Sequence, residues 1–437
     1  MLSTVPRLFA AALFTVVLAL AIAPARSAET ATPDDTARFL AGLPPAPDSP
    51  LAALAKGPDW AQHARFFDSI FAREDANTLS KVRAFSKEHL TPQHDTMLYM
   101  FSGPDFLYAT SFFPSASTYV LSGLEPVGDV PQLSSLPRGA VDGSLHNIEG
   151  SLATILNLSF FITKNMKTQL STGPVYGTLP ILYVFLARTG KTVHEVSFVS
   201  LDKDGNFIVP DDSGKRMGRA STQSAAKGVK IVFSDGNGPK QTLYYFSTDL
   251  SDGGVKTSGF LEFCAKLGPA DSFLKSASYL LHGGNFARVR SFLVDHSATV
   301  LEDDSGIPLG YFDPKKWQLQ PFGHYLAPLG IFPNTYQPRM AELFHNAAPL
   351  DFGIGYLWRK NESNLLLATR LPPGPGEAEF NPSLTIGSDS PQVAAEGPKP
   401  HRKRPPTASN PRRSDGLRGF FSVFGFDDPA ARPRPPK

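Results

Sequence analysis

The sequence predicts an α/β fold: a mixed parallel/antiparallel sheet with helices on both faces, opened by a Rossmann-like βαβ unit and followed by a disordered C-terminal tail. Three observations predict it. Residues Thr96 to Gly128 read as strand, helix and strand in immediate succession. Asp-Gly and Asn-Gly turns between apolar segments from Thr192 to Phe246 read as hairpins. From Pro372 onward the apolar periodicity stops and Pro, Gly, Ser and Arg take over.

In the βαβ unit, Thr96 to Phe101 is a short apolar run ended by the turn residues Ser102-Gly103-Pro104. Pro104 suits the first helical position, where its missing N–H costs nothing, and Asp105 complements the helix dipole in the first turn. Phe106 to Phe113 is apolar on nearly every face, which predicts a buried helix, and Thr118 to Leu121 is the second strand, closed before Glu125. A glycine turn followed some twenty residues later by an acid has the outline of a dinucleotide site. Gly103 is alone where that fingerprint needs three glycines, and Asp105 puts negative charge where a pyrophosphate would sit, so no cofactor is expected.

Taken in order, residues 1–28 read as a signal peptide: Arg7, a 16-residue apolar stretch from Leu8 to Ala23, then small residues around Pro24. That stretch is shorter than the roughly 18–20 residues a spanning helix needs. The mature chain is expected to be exported, periplasmic or extracellular, and soluble. Residues 29–58, rich in Ala, Pro and Asp, are expected to form a flexible arm ahead of a single large α/β domain over 59–371. The 33 Phe of the whole chain are ample for a core, which one Cys, Cys264, cannot staple; that thiol reads as a small buried apolar group. Helices are expected over Trp60–Phe71 and Leu79–Leu90, from about His146 to Gln169, over Leu179–Ala187, and in three successive patterns, Lys256–Leu267, Ala270–His282 and Phe286–Ser297. Strands are expected at Thr192–Leu201, Val229–Phe233, Leu243–Phe246 and Thr299–Glu302, with a late pair formed by Phe352–Trp358 and Leu365–Thr369.

The motifs that carry chemistry are thin. His89 and His94 read as surface residues, and the Asp202-x-Asp204-Gly205 cluster as a hairpin turn without the spacing or closing Glu of a calcium loop, so no metal is expected. There is no G-x-S-x-G for His282-Gly283-Gly284 to serve, and S-x-x-K at Ser272–Lys275 stands in the wrong order relative to Lys256-Thr257-Ser258-Gly259 for a penicillin-recognising serine enzyme. The leading expectation is an exported protein that binds a ligand or a cell-envelope partner without catalysis. The alternative is a hydrolase-type enzyme with Asp105, Glu125 and His146 as acid/base groups, and Ser102 and Gly103 as binding residues, because loops after parallel strands converge at one sheet edge.

Residues 372–437 form a basic, Pro-rich tail with ten Lys or Arg against three Asp from Gly397 to Lys437, whereas the body is net acidic. Arg402, Lys403 and Arg404 beside Phe420, Phe421 and Phe424 suit an anionic membrane or cell-wall surface. No nucleic-acid partner is expected.

Overall fold

A computed structural model describes residues 30–153, 155–160, 173–208, 226–332, 334–356 and 359–372. Residues 1–28, read above as a signal peptide, and the basic aromatic tail, with Arg402, Lys403, Arg404, Phe420, Phe421 and Phe424, lie outside the described residues. So does most of the expected helix beyond Phe160.

The described residues contain one nine-stranded sheet in the order β3-β4-β5-β2-β1-β6-β7-β9-β8. Its centre is parallel: β5 (Lys240–Ser247), β2 (Thr118–Gly123), β1 (Thr96–Tyr99), β6 (Ala270–Leu274) and β7 (Ser297–Glu302) all point the same way. Antiparallel strands extend it on both sides, β4 (Lys227–Asp235) and β3 (Lys191–Ser200) at one edge, β9 (Asn364–Arg370) and β8 (Trp317–Gly323) at the other. The Asp235–Gly238 turn joins β4 to β5, with Gly236 at φ 53°, a conformation a glycine adopts without strain.

Alternate residues of each central strand feed two separate cores. Met97, Tyr99, Tyr119 and Phe273 face one layer, while Leu98, Met100, Val120 and Leu274 face the other. The first layer holds α1 (Pro33–Leu40), α2 (Pro58–Glu74), α3 (Ser80–His89), α4 (Phe106–Phe112), α5 (Arg138–Leu152), α6 (Ile155–Leu158) and α7 (Leu179–Arg188); the second holds α8 (Asp252–Ser258), α9 (Phe260–Lys266), α10 (Ala287–His296) and α11 (Pro338–Leu343). Helices therefore cover both faces, as parallel strands require. No helix of the described residues is long and apolar enough to cross a membrane.

Four expectations are corrected. The segment from residue 30 to 58 is not a loose arm: Thr32 caps α1, Phe39 and Leu40 are buried in the core, and Asp34 Oδ1 accepts the Val193 N–H of edge strand β3 at 2.9 Å. Asp105, rather than opening the first turn behind Pro104, is the N-cap of α4, its Oδ1 accepting the Tyr108 N–H at 3.1 Å. The third correction matters most, since Ala270–Leu274 is not the start of a helix but β6, an interior parallel strand beside β1. Finally, β9 pairs with β8 and β7 and not with residues 352–356, which form no strand.

Candidate functional site

The chain leaves β1 through α4, in the first layer, and moves to β2; it leaves β6 through a loop to α10, in the second layer, and moves to β7. The connections diverge at the β1/β6 boundary, which leaves a crevice at the carboxyl ends of the strands. A cavity of about 350 Å³ occupies that place. Its walls come from the ends of β1 (Tyr99, Phe101, Ser102, Gly103), β2 (Gly123, Leu124, Glu125), β5 (Thr248, Asp249, Leu250) and β6 (Lys275 to Ser278), with Phe160, Phe286 and Tyr356 from neighbouring loops. Leu124 and Leu280 are exposed at its rim.

The floor is a buried charge network. Lys275, the residue after β6, places Nζ 2.8 Å from Asp105 Oδ2, and both side chains are almost fully buried. The ammonium also donates to the Ser159 carbonyl and lies 3.6 Å from the centre of the Tyr108 ring, so its three donors all have partners. Asp105 in turn accepts from the Tyr99 hydroxyl at 2.9 Å, while the Tyr108 hydroxyl donates to Glu74 at 2.9 Å. Burial pushes the Lys275 ammonium below its ordinary value, opposed by the Asp105 carboxylate, and burial likewise holds the Glu74 carboxyl above its own. The Tyr99 and Tyr108 phenols are driven well up by the same loss of solvent, with Asp105 and Glu74 respectively adding to it.

The wall after β6 is held in an unusual conformation. Phe101, Ser159, Ser276, Ser278 and Tyr279, all non-glycine, have φ between 53° and 62°, and each lines the cavity or adjoins it. Such backbone costs on the order of 1–3 kcal/mol per residue and persists only where its surroundings over-determine it. Here the carboxylates after β7 do so. Asp303 Oδ2 accepts the Ser276 N–H at 2.8 Å, Ser305 Oγ accepts the Ala277 N–H at 2.7 Å, and Asp304 accepts from the Tyr279 hydroxyl. Tyr356 completes the clamp: its hydroxyl donates to the Ser276 carbonyl at 2.8 Å and so must accept from Ser278 Oγ at 2.7 Å. Burial raises the Asp303 and Asp304 carboxyls, the latter to about 7, with Asp303's charge the next cause.

Of the residues singled out in the sequence, Ser102, Gly103, Asp105 and Glu125 share this cavity. His146 does not. It sits on the exposed face of α5, its Nδ1 bonded to the Asp142 carbonyl one turn back, and that bond lifts its pKa. Ser102 Oγ directs its one proton to the Gly103 carbonyl at 2.7 Å and accepts the Ser122 N–H, and Asp105 already accepts from Lys275, Tyr99 and the Tyr108 N–H, so both are engaged within the protein. Glu125 differs. Only 5% exposed, it is held by the Tyr245 hydroxyl, which donates to its carbonyl at 2.9 Å and lies 3.4 Å from Oε2. Its placement depends on Gly123, where a methyl group would stand 2.4 Å from Oε2 and 3.0 Å from the Gly103 Cα.

Lys275, Ser276 and Ser278 were missed because Ala270–His282 was read as a helix, and Asp303, just past the strand expected at Thr299–Glu302, carried no local signal of its partners. The S-x-x-K spacing has no catalytic geometry on a strand: Ser272 and Lys275 project to opposite faces, and Ser272 bonds Ser297 Oγ at 2.7 Å inside the sheet. Gly268-Pro269 ahead of a five-residue buried run was the available signal. Among the described residues no group of three His, Cys, Asp or Glu could hold a metal ion. Cys264 is buried and its thiol pushed up by loss of solvent. No family model, curated protein or solved structure matches the chain.

Proposed function

We propose that the chain is an exported binding protein whose cavity at the β1/β6 crevice holds a small organic ligand. The observation that carries this reading is the coincidence of the cavity with the divergence of the two connections and with a ring of left-handed, non-glycine residues around it. Open parallel sheets offer their binding crevice at such divergences, and backbone strain is retained where it shapes a site. The volume of about 350 Å³ lies at the small end of ligand pockets, and the walls have the usual mixture of aromatic rings with a few polar groups. Export rests on the N-terminal sequence pattern. The basic aromatic tail supports, on composition alone, contact with an anionic envelope surface.

Catalysis is the less favoured reading because the general acid/base set lacks its imidazole and Asp105 is already ion-paired to Lys275 and bonded to Tyr99 and the Tyr108 N–H. Ser276 and Glu125 both line the cavity, and the Ser276 hydroxyl is buried without a hydrogen-bond partner among the described residues.

A plugged cavity tests binding. Leu124 and Leu280 are 58% and 37% exposed, so a Leu124→Trp/Leu280→Trp variant adds bulk at the mouth without disturbing the core. Compounds from a metabolite library that raise the melting temperature of the signal-less protein are expected to lose that effect in the plugged variant. Equal shifts in both proteins would place binding elsewhere.

A further inference from the structure

We infer that the ligand of this cavity is an organic cation, an ammonium carried on an apolar body, with Glu125 as its counter-ion. This deepens the binding reading above and rests on it.

The argument starts from charge. A carboxylate withdrawn from water is costly unless an opposite charge or several strong donors compensate it. Glu125 is 5% exposed and lines the cavity, yet its side chain receives one long contact, from the Tyr245 hydroxyl at 3.4 Å. Among the described residues it has no cationic partner. The cavity's own ammonium, Lys275, is committed to Asp105 and has a second carboxylate, Asp303, near enough to act on it. The lining therefore carries an excess of negative charge, which Asp249 at the rim increases. An anionic ligand would be repelled by this field, and a neutral one would leave the Glu125 charge uncompensated.

The walls say what kind of cation fits. Phe101 and Phe286 meet edge to face with ring centres 5.9 Å apart, and Phe160 and Tyr356 do the same at 5.1 Å, so aromatic surface contributes to the lining from two pairs of rings. Aromatic faces attract ammonium groups and also bury hydrocarbon, whereas a hard metal ion needs several oxygen or nitrogen ligands that these walls do not bring together. Carboxylate plus aromatic surface is the chemistry that selects an amine with an apolar body.

Three probes of one shape separate the charges: 2-phenylethylamine, which is protonated at pH 7.5, neutral 2-phenylethanol and anionic phenylacetate. In calorimetric titrations of the signal-less full chain, the amine is expected to bind about tenfold or more tighter than the alcohol, and the acid more weakly than the alcohol. In Glu125→Gln the amine's advantage should fall to within about threefold while the alcohol binds at least as tightly as it does to the wild type, which also reports that the cavity is intact. An advantage that survives in Glu125→Gln, or an alcohol that binds as well as the amine to the wild type, overturns the cation reading while leaving a neutral-ligand site in place. Failure of all three to bind overturns it together with the choice of this cavity. If Glu125→Gln does not fold, the wild-type ranking of the three probes decides.

Discussion

Lys275→Met is expected to lower the stability of the protein by about 3–5 kcal/mol, the cost of leaving a buried carboxylate without its partner. Methionine keeps the length of the side chain and removes the ammonium, so Asp105 would retain only the Tyr99 hydroxyl and the Tyr108 N–H, and Asp303 would lose a positive charge that favours its ionised form. The Ser159 carbonyl and the Tyr108 ring would lose a contact as well. Adding Asp105→Asn should return part of the loss, because asparagine caps a helix about as well as aspartate and carries no charge to strand. Urea titrations of the two single variants and the double variant close the cycle. A Lys275→Met cost under about 1 kcal/mol, or strict additivity in the double variant, would mean that the pair does not hold the cavity floor.

A second large effect concerns pH. Asp304 is held up at about 7 by burial and by the charge of Asp303, against an ordinary value of 3.8. Between those values the folded protein keeps a proton that the unfolded chain has released. Asp304's contribution to stability is therefore fully present below about pH 4 and is lost as pH rises toward 7. His282 works the other way: burial lowers it from 6.5 to about 4, so its contribution is present above pH 6.5 and is lost as pH falls toward 4. The two slopes oppose each other, and wild-type stability alone would hide both. Asp304→Asn leaves the histidine in place and removes the acid. The stability of the wild type minus that of the variant is expected to fall with rising pH between 4 and 7, by up to about 1.4 kcal/mol per pH unit. Urea unfolding at three pH values in that window measures it, and a flat difference would show that Asp304 ionises in the folded protein as it does in the unfolded chain.

The βαβ start could be read from residues alone because its punctuation is local: Ser102-Gly103-Pro104 ends the first strand, and a helix buried on every side shows as unbroken apolar sequence. The β4–β5 hairpin was equally visible, with the Asp235-Gly236-Asn237-Gly238 turn between apolar runs, whereas Asp204-Gly205 closes a single bridge between Leu201 and Phe207 and β3 pairs with β4 instead. Strand β6 was hidden by its polar residues. Asp271 and Ser272 break the apolar run, and what makes them acceptable inside a sheet are partners distant in sequence: the His94 ring and N–H for Asp271, and the Ser297 hydroxyl for Ser272. Apolar residues at Ala270, Phe273, Leu274, Ala277 and Leu281 then mimic a helical spacing. Losing β6 meant losing Lys275, since a lysine in a supposed helix reads as surface. Nothing local says that its counter-ion lies 170 residues earlier at Asp105. Glu125 and Asp105 were found because each follows a strand of the unit that was read correctly; His146, grouped with them in the sequence, lies on the exposed face of α5 and outside the cavity.

The most direct measurement of the central claim is a crystal structure of the protein lacking residues 1–28 grown with 2-phenylethylamine. The account predicts density between the Phe101/Phe286 and Phe160/Tyr356 pairs, with the ammonium nitrogen about 2.7–2.9 Å from a Glu125 carboxylate oxygen. Density for the amine at another surface with this cavity empty, or an amine seated here with its nitrogen turned away from Glu125, would contradict it.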